Sequence, residues 1–148
     1  MSYSFYGWEK ADVGPVNDRY LFIHNPRELY DALINVWCRY TCAPRMRSKW
    51  SDNNKTVGQC SITAFLAQEI FGGKVYGIEQ DDGSFHCFNV VGDCVFDLTS
   101  EQFGDKKVIY DTDHEQFRKV HLAKQEKADR YEYLKSQFNK YLAKRYQD

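Results

Sequence analysis

Gly58-Gln59-Cys60 stands directly before a helix-like apolar run, with an aromatic-flanked His86 and a strand-embedded Asp97 further along. A cysteine in the first turn of a buried helix sits in the positive field of the helix N-terminus, which favours thiolate over thiol. An imidazole within reach would take the thiol proton, and a carboxylate on its far ring nitrogen would fix the tautomer. Cys60, His86 and Asp97 are therefore candidates for nucleophilic chemistry on an amide or ester carbonyl. Gln59 adds a neighbouring amide, either a donor to a developing oxyanion or only a helix cap. Taken singly, each residue has a plainer reading. Cys60 fits a small core residue, His86 a hydrogen-bonded strand histidine and Asp97 a cap for the turn at Thr99. Their combination behind a Gly-Gln lead-in favours the site.

The elements that must position them are readable from periodicity. The segment CSITAFLAQEIFGG is apolar almost all round, which predicts a helix buried on several sides and ended by Gly72-Gly73. Strands are expected at Lys74 to Glu79, Phe85 to Val91 and Cys94 to Leu98, the last two joined by a Gly92-Asp93 hairpin turn. Counting back from that turn sets Val91 against Cys94, Val90 against Val95, Asn89 against Phe96 and Phe88 against Asp97. Because side chains alternate faces, His86, Phe88 and Val90 then share a face with Val95, Asp97 and Thr99. A one-residue slip would separate His86 from Asp97. The face of Phe88, Val90 and Val95 offers the buried helix a surface to cover, and packing it there would bring Cys60 towards His86. Cys87 and Cys94 fall on the opposite face, so neither is expected as the nucleophile, and Asn89 is expected to be structural.

Elsewhere, Asn25-Pro26-Arg27-Glu28 reads as a cap, a first-turn proline and a capping-box Glu. The Leu29, Leu33, Trp37 stripe extends that helix to near Arg39. Tyr20 to Ile23 reads as a short extended run, and residues 1–19 as a peripheral arm. Residues 41–57 form a polar, basic loop of a length that is often functional. Its Arg45, Arg47 and Lys49 either steer an anionic substrate or lie on a solvated surface. A C-terminal helical segment is expected over residues 112–146, with Tyr131, Leu134, Phe138, Tyr141 and Arg145 as its stripe. His24, His114 and His121 have no evident partners, and surface or packing roles suit them.

At 148 residues the chain is most simply one domain, 1–148, large enough for a sizeable core. A composition of 43% hydrophobic and 16% aromatic residues suits a folded chain, not a disordered one. With a net charge of −1, bulk nucleic-acid binding is not expected. The mild basic excess after Asp105 suits a solvated helix surface. No apolar stretch reaches a membrane span, and the start lacks the features of a secretory signal. A cytoplasmic protein follows, in keeping with five cysteines that form no tightly spaced set. Zinc held by Cys60, His86 and another thiol is the weakest of the readings, and neither metal nor cofactor is expected.

The string from Trp50-Ser51 through Asn54 to Gly58-Gln59-Cys60-Ser61-Ile62-Thr63-Ala64-Phe65, then Phe71-Gly72-Gly73, resembles the YunG-like family of small bacterial proteins. His86-Cys87-Phe88-Asn89, Asp97-Leu98-Thr99 with Gln102-Phe103, and Arg130-Tyr131-Glu132-Tyr133-Leu134 match later parts of that pattern. Lys55 stands where proline is expected after Asn54, and Cys87-Phe88 where Tyr-Trp is common. The resemblance implies a fold and a site more than a reaction. More distantly, Cys at a helix start, His on a strand and Asp on the next are similar to papain-like and transglutaminase-like proteins. That likeness implies Cys60 as nucleophile, His86 as base and acid, Asp97 as its orienter and Gln59 as an oxyanion contributor. The expected fold is α+β, a central buried helix packed on an antiparallel sheet with a long C-terminal helix outside. A cysteine hydrolase or acyltransferase acting on a peptide or small acyl substrate is the expected function. A non-catalytic binding module that keeps the same cleft is the alternative.

Overall fold

A computed structural model describes residues 3–146. Its first helix, α1 (Pro26–Leu33), opens as the sequence predicts, with the Asn25 side chain accepting the Glu28 backbone N–H at 3.1 Å. The Glu28 carboxylate reaches back to the His24 N–H. The helix ends at Leu33, short of Arg39. Lys55 Nζ donates to the Ile34 carbonyl at 2.9 Å and Asn35 Nδ2 to the Asp31 carbonyl at 2.9 Å. Side chains thus occupy carbonyls at the point where the stripe would have to continue, and the chain turns although the apolar spacing does not break.

Helix α2 (Cys60–Phe71) begins at the candidate nucleophile, and nine of its residues are buried, from Ser61 to Phe71. It lies on an antiparallel sheet of β1 (Lys74–Glu79), β2 (Phe85–Val91), β3 (Cys94–Phe96) and β4 (Glu115–Gln116), in the order β3-β2-β1-β4. The β2–β3 pairs are Val91 with Cys94, Val90 with Val95 and Asn89 with Phe96. The register counted from the turn is therefore the observed one, but the ladder stops before Phe88 and Asp97. Asp97 pairs instead with Tyr6 of the N-terminal arm, whose carbonyl accepts the Asp97 N–H at 3.0 Å.

The face that α2 covers differs from expectation. Asn89 Nδ2 donates to the Ala64 carbonyl of α2 at 2.9 Å, and the Phe71 and Phe96 rings meet edge to face. Cys87, Asn89 and Phe96 thus form the helix-facing side. Phe88 packs on the other side against Tyr110, which stacks on Tyr6. Both faces of this hairpin are apolar, so alternation alone does not say which one a helix will take.

The arm is not peripheral, because Phe5 and Ala11 are fully buried in the core. Gly7 makes this entry possible. Its φ is +84°, and a Cβ there would lie 2.0 Å from the Val95 carbonyl oxygen. Tyr20 to Ile23, expected as an extended run, instead closes a 3₁₀ turn over Asp18–Tyr20 and continues as a turn through Leu21 and Phe22. Residues 112–117 are not helical, since Glu115 and Gln116 pair with Tyr76 and Val75 of β1 as β4. A short α3 (Arg118–His121) then precedes the long α4 (Gln125–Arg145), which buries Tyr131, Leu134, Phe138 and Leu142. No described helix is long and apolar enough to cross a membrane.

Candidate active site

Three side chains from three parts of the fold meet at one end of the sheet. Cys60 is the first residue of α2, at the end where helical N–H groups lack intrahelical partners. Gly58, at φ +70°, turns the chain into that helix, and a Cβ there would lie 2.5 Å from Cys42 Sγ. His86 is second in β2, and Asp97 directly follows β3. The latter two side chains are 3% and 1% exposed, with His86 Nε2 and Asp97 Oδ2 2.6 Å apart. Since a carboxylate oxygen accepts, Nε2 carries the proton and Nδ1 is left towards the cleft.

Asp97 is held from every side. Its Oδ1 accepts from the Thr99 N–H at 3.1 Å and the Thr99 hydroxyl at 3.2 Å, while Oδ2 also accepts from the Tyr110 hydroxyl at 2.7 Å. Beyond the end of the β3 ladder, the edge of β2 at His86 is lined by side chains. Gln102 Nε2 lies 3.5 Å from His86 Nδ1 and donates to the Thr99 carbonyl at 3.0 Å. The Phe103 ring sits edge-on to His86 at 4.5 Å.

The titrations follow from these contacts. Hydrogen bonding by the Cys87 thiol lowers the Cys60 pKa well below the usual thiol range, against burial and with help from the His86 charge. Cys87 is correspondingly raised by that same contact and by burial. Burial opposes charge on His86, but the Asp97 carboxylate and the Cys60 thiolate outweigh it and raise its pKa to about 10. The arrangement therefore favours a thiolate–imidazolium pair, the form in which a cysteine attacks a carbonyl.

Cys60 and His86 open on one cleft of about 890 Å³, lined also by Gly58, Ser61, Gln102 and Phe103. Gln59 does not reach it. That residue is fully buried, and its Nε2 donates to the Cys38 carbonyl at 3.1 Å, so its amide ties α2 to the segment after α1. Nor does its side chain cap the helix. Gln102 is the side-chain amide that lines the cleft beside His86. It stands in the sequence string already noted, although nothing in its spacing marks it as a neighbour of His86. Tyr110 and Cys87 also escaped the sequence reading: Tyr110 lies in an irregular segment, and Cys87 was set on the face away from the helix. Asn89 is structural, as its alternation predicts. Among the described residues, no group of three or more His, Cys, Asp or Glu is arranged to hold a metal ion.

The basic loop divides into two roles. Arg47 is consumed internally, donating to the carbonyls of Arg39, Tyr40 and Cys42. Arg45 reaches the cleft and pairs with Asp82 at 3.3 Å.

Against known proteins, a family model described as "YunG protein" matches residues 25–143. A Bacillus subtilis (strain 168) protein named "Uncharacterized protein YunG" is 37% identical over 71 residues, which is 48% of this chain and 56% of that protein. The chain thus spans little more than half the length of that curated relative. No solved structure matches the chain.

Proposed function

Since the chain belongs to the YunG family, we propose that it is a cysteine-dependent hydrolase or acyltransferase on a papain-like or transglutaminase-like plan. A single observation carries this reading: an imidazole pinned at 2.6 Å to a buried carboxylate shares a cleft with a cysteine at a helix N-terminus. The Cys60 thiolate attacks an amide or ester carbonyl, forming a C–S bond while the π electrons move to oxygen. Free N–H groups at the start of α2 and the Gln102 amide stabilise that oxyanion. Collapse expels the amine or alcohol, which takes its proton from His86. Water or an acceptor nucleophile, deprotonated by His86, then attacks the thioester and returns Cys60 as thiolate. Asp97 holds the ring throughout. The whole chain acts as one domain in the reducing cytoplasm, where its five cysteines, all free, stay reduced.

Intact-mass spectrometry after mixing with p-nitrophenyl acetate and a panel of peptide p-nitroanilides tests this. One acyl group per chain, mapped to Cys60 and absent from Cys60→Ala, is expected. A wild-type protein that binds peptides in this cleft yet never acquires an acyl group is a binding module.

A further inference from the structure

Beyond the candidate triad, the cleft has a wall built from the α3–α4 corner, where Val120, His121, Lys124, Lys127 and Arg130 line it. Its charges are not evenly matched. Arg130 pairs with Glu126, and Arg45 pairs with Asp82 at the β1–β2 turn, next to exposed Asp81. Lys127 is half-buried, and no described carboxylate pairs with it.

What holds Lys127 is a neutral ring. His121 Nε2 lies 2.8 Å from Gln116 Oε1, an atom that can only accept, so Nε2 bears the proton. His121 Nδ1 is then an acceptor for the Lys127 ammonium, 2.9 Å away. The ring packs edge-on against Phe65 of α2, and burial and the Lys127 charge push its pKa down to about 4. It therefore orients Lys127 without neutralising it. An ammonium has three N–H donors, and His121 uses one. Exposed Lys124, one turn earlier, adds a second cation to the same wall.

Taking the acyl-transfer reading as its basis, we propose that Lys127, assisted by Lys124, forms an anion subsite. It selects acyl substrates bearing a carboxylate, such as N-acyl amino acids or peptides cut near their C-terminus. A partly desolvated ammonium with spare donors gains more from a carboxylate than a fully hydrated surface lysine does. Apart from the charge of the Cys60 thiolate, the described residues offer Lys127 no anionic partner, and the substrate carboxylate supplies one.

Two alkylating reagents that differ only in charge test this without knowledge of the natural substrate. Second-order rate constants for Cys60 are measured with iodoacetate and iodoacetamide between pH 6 and 9, with glutathione as the free-thiol reference. In the wild type the iodoacetate-to-iodoacetamide ratio is expected to exceed that of glutathione about tenfold, the scale of one charged hydrogen bond. Lys127→Met should bring it back towards the reference, and Lys124→Gln should lower it less. The iodoacetamide constant normalises for any change in the thiol itself. A wild-type ratio equal to that of glutathione overturns the subsite, even if Cys60 reacts fast. Slow reaction with both reagents until ordinary thiol pH counts against the activated cysteine instead, and the ratio at pH 9 still decides the subsite.

Discussion

His86 and Asp97 meet through Nε2 and Oδ2 at 2.6 Å, just beyond the point where the β2–β3 ladder ends. The bond joins side chains at the sheet's open end, so it is a side-chain device and not a product of strand pairing. Removing one partner of such a buried pair typically costs about 3–5 kcal/mol. Asp97→Asn should therefore lower the urea midpoint markedly near neutral pH. The sign of its pH dependence is fixed: a raised histidine pKa gives stability that is complete below the ordinary value near 6.5. That stability is lost as pH climbs through about 10. The gap between wild type and Asp97→Asn should thus narrow from pH 6 to pH 10.5. A gap that stays constant would show that His86 does not titrate against Asp97.

Cys60 should alkylate with iodoacetamide at pH values well below the ~8.5 of a free thiol. Both His86→Ala and Cys87→Ala should move the inflection upwards, because the Cys87 thiol contributes the largest lowering influence and His86 the charge. An inflection unmoved by Cys87→Ala would remove that thiol from the site.

Gly58→Ala should damage both stability and thiol reactivity. A left-handed backbone costs a substituted residue about 1–2 kcal/mol, and the new methyl would press on Cys42 Sγ and the Ala43 backbone. Relief requires the Cys42–Ala43 segment or the turn into α2 at Cys60 to shift. Thermal denaturation and the iodoacetamide rate should fall together, whereas Gly83→Ala, where a Cβ meets nothing within 4 Å, should leave the iodoacetamide rate unchanged.

Asn89→Ala should cost about 1–3 kcal/mol, since it leaves the Ala64 carbonyl of α2 without its donor in a buried setting. Hydrogen exchange should localise the loss to α2 and β2. Uniform acceleration across the chain, or none, would contradict this assignment.

Local rules carried the sequence reading a long way. The turn at Gly92-Asp93 fixes the β2–β3 register, because a two-residue loop admits one pairing, and Asn25 fixes the start of α1 through its cap. What escaped was set by tertiary choice. Cys87 and Phe88 are both apolar, so nothing local says which of them α2 will cover. Leu33 and Trp37 keep helical spacing through a turn whose Ile34 carbonyl is taken by Lys55, a residue far along the chain. Tyr110 reaches Asp97 from a segment with no periodicity, and the Gln59 amide, adjacent to Cys60 in sequence, is turned inward to donate to the Cys38 carbonyl.

Tyr6 and Asp97 join the first residues of the arm to the acid of the candidate triad. Closing so long a stretch of chain is entropically late and kinetically slow. During synthesis Tyr6 precedes its partner, and α2 and the β1–β2 hairpin lie between the two. Helix α2 and the β1–β2 hairpin can form earlier, leaving a cysteine without its oriented histidine. On the acyl-transfer reading proposed above, the arm would act as a timing element, since Asp97 is held in place to orient His86 only once both ends of this bridge are present.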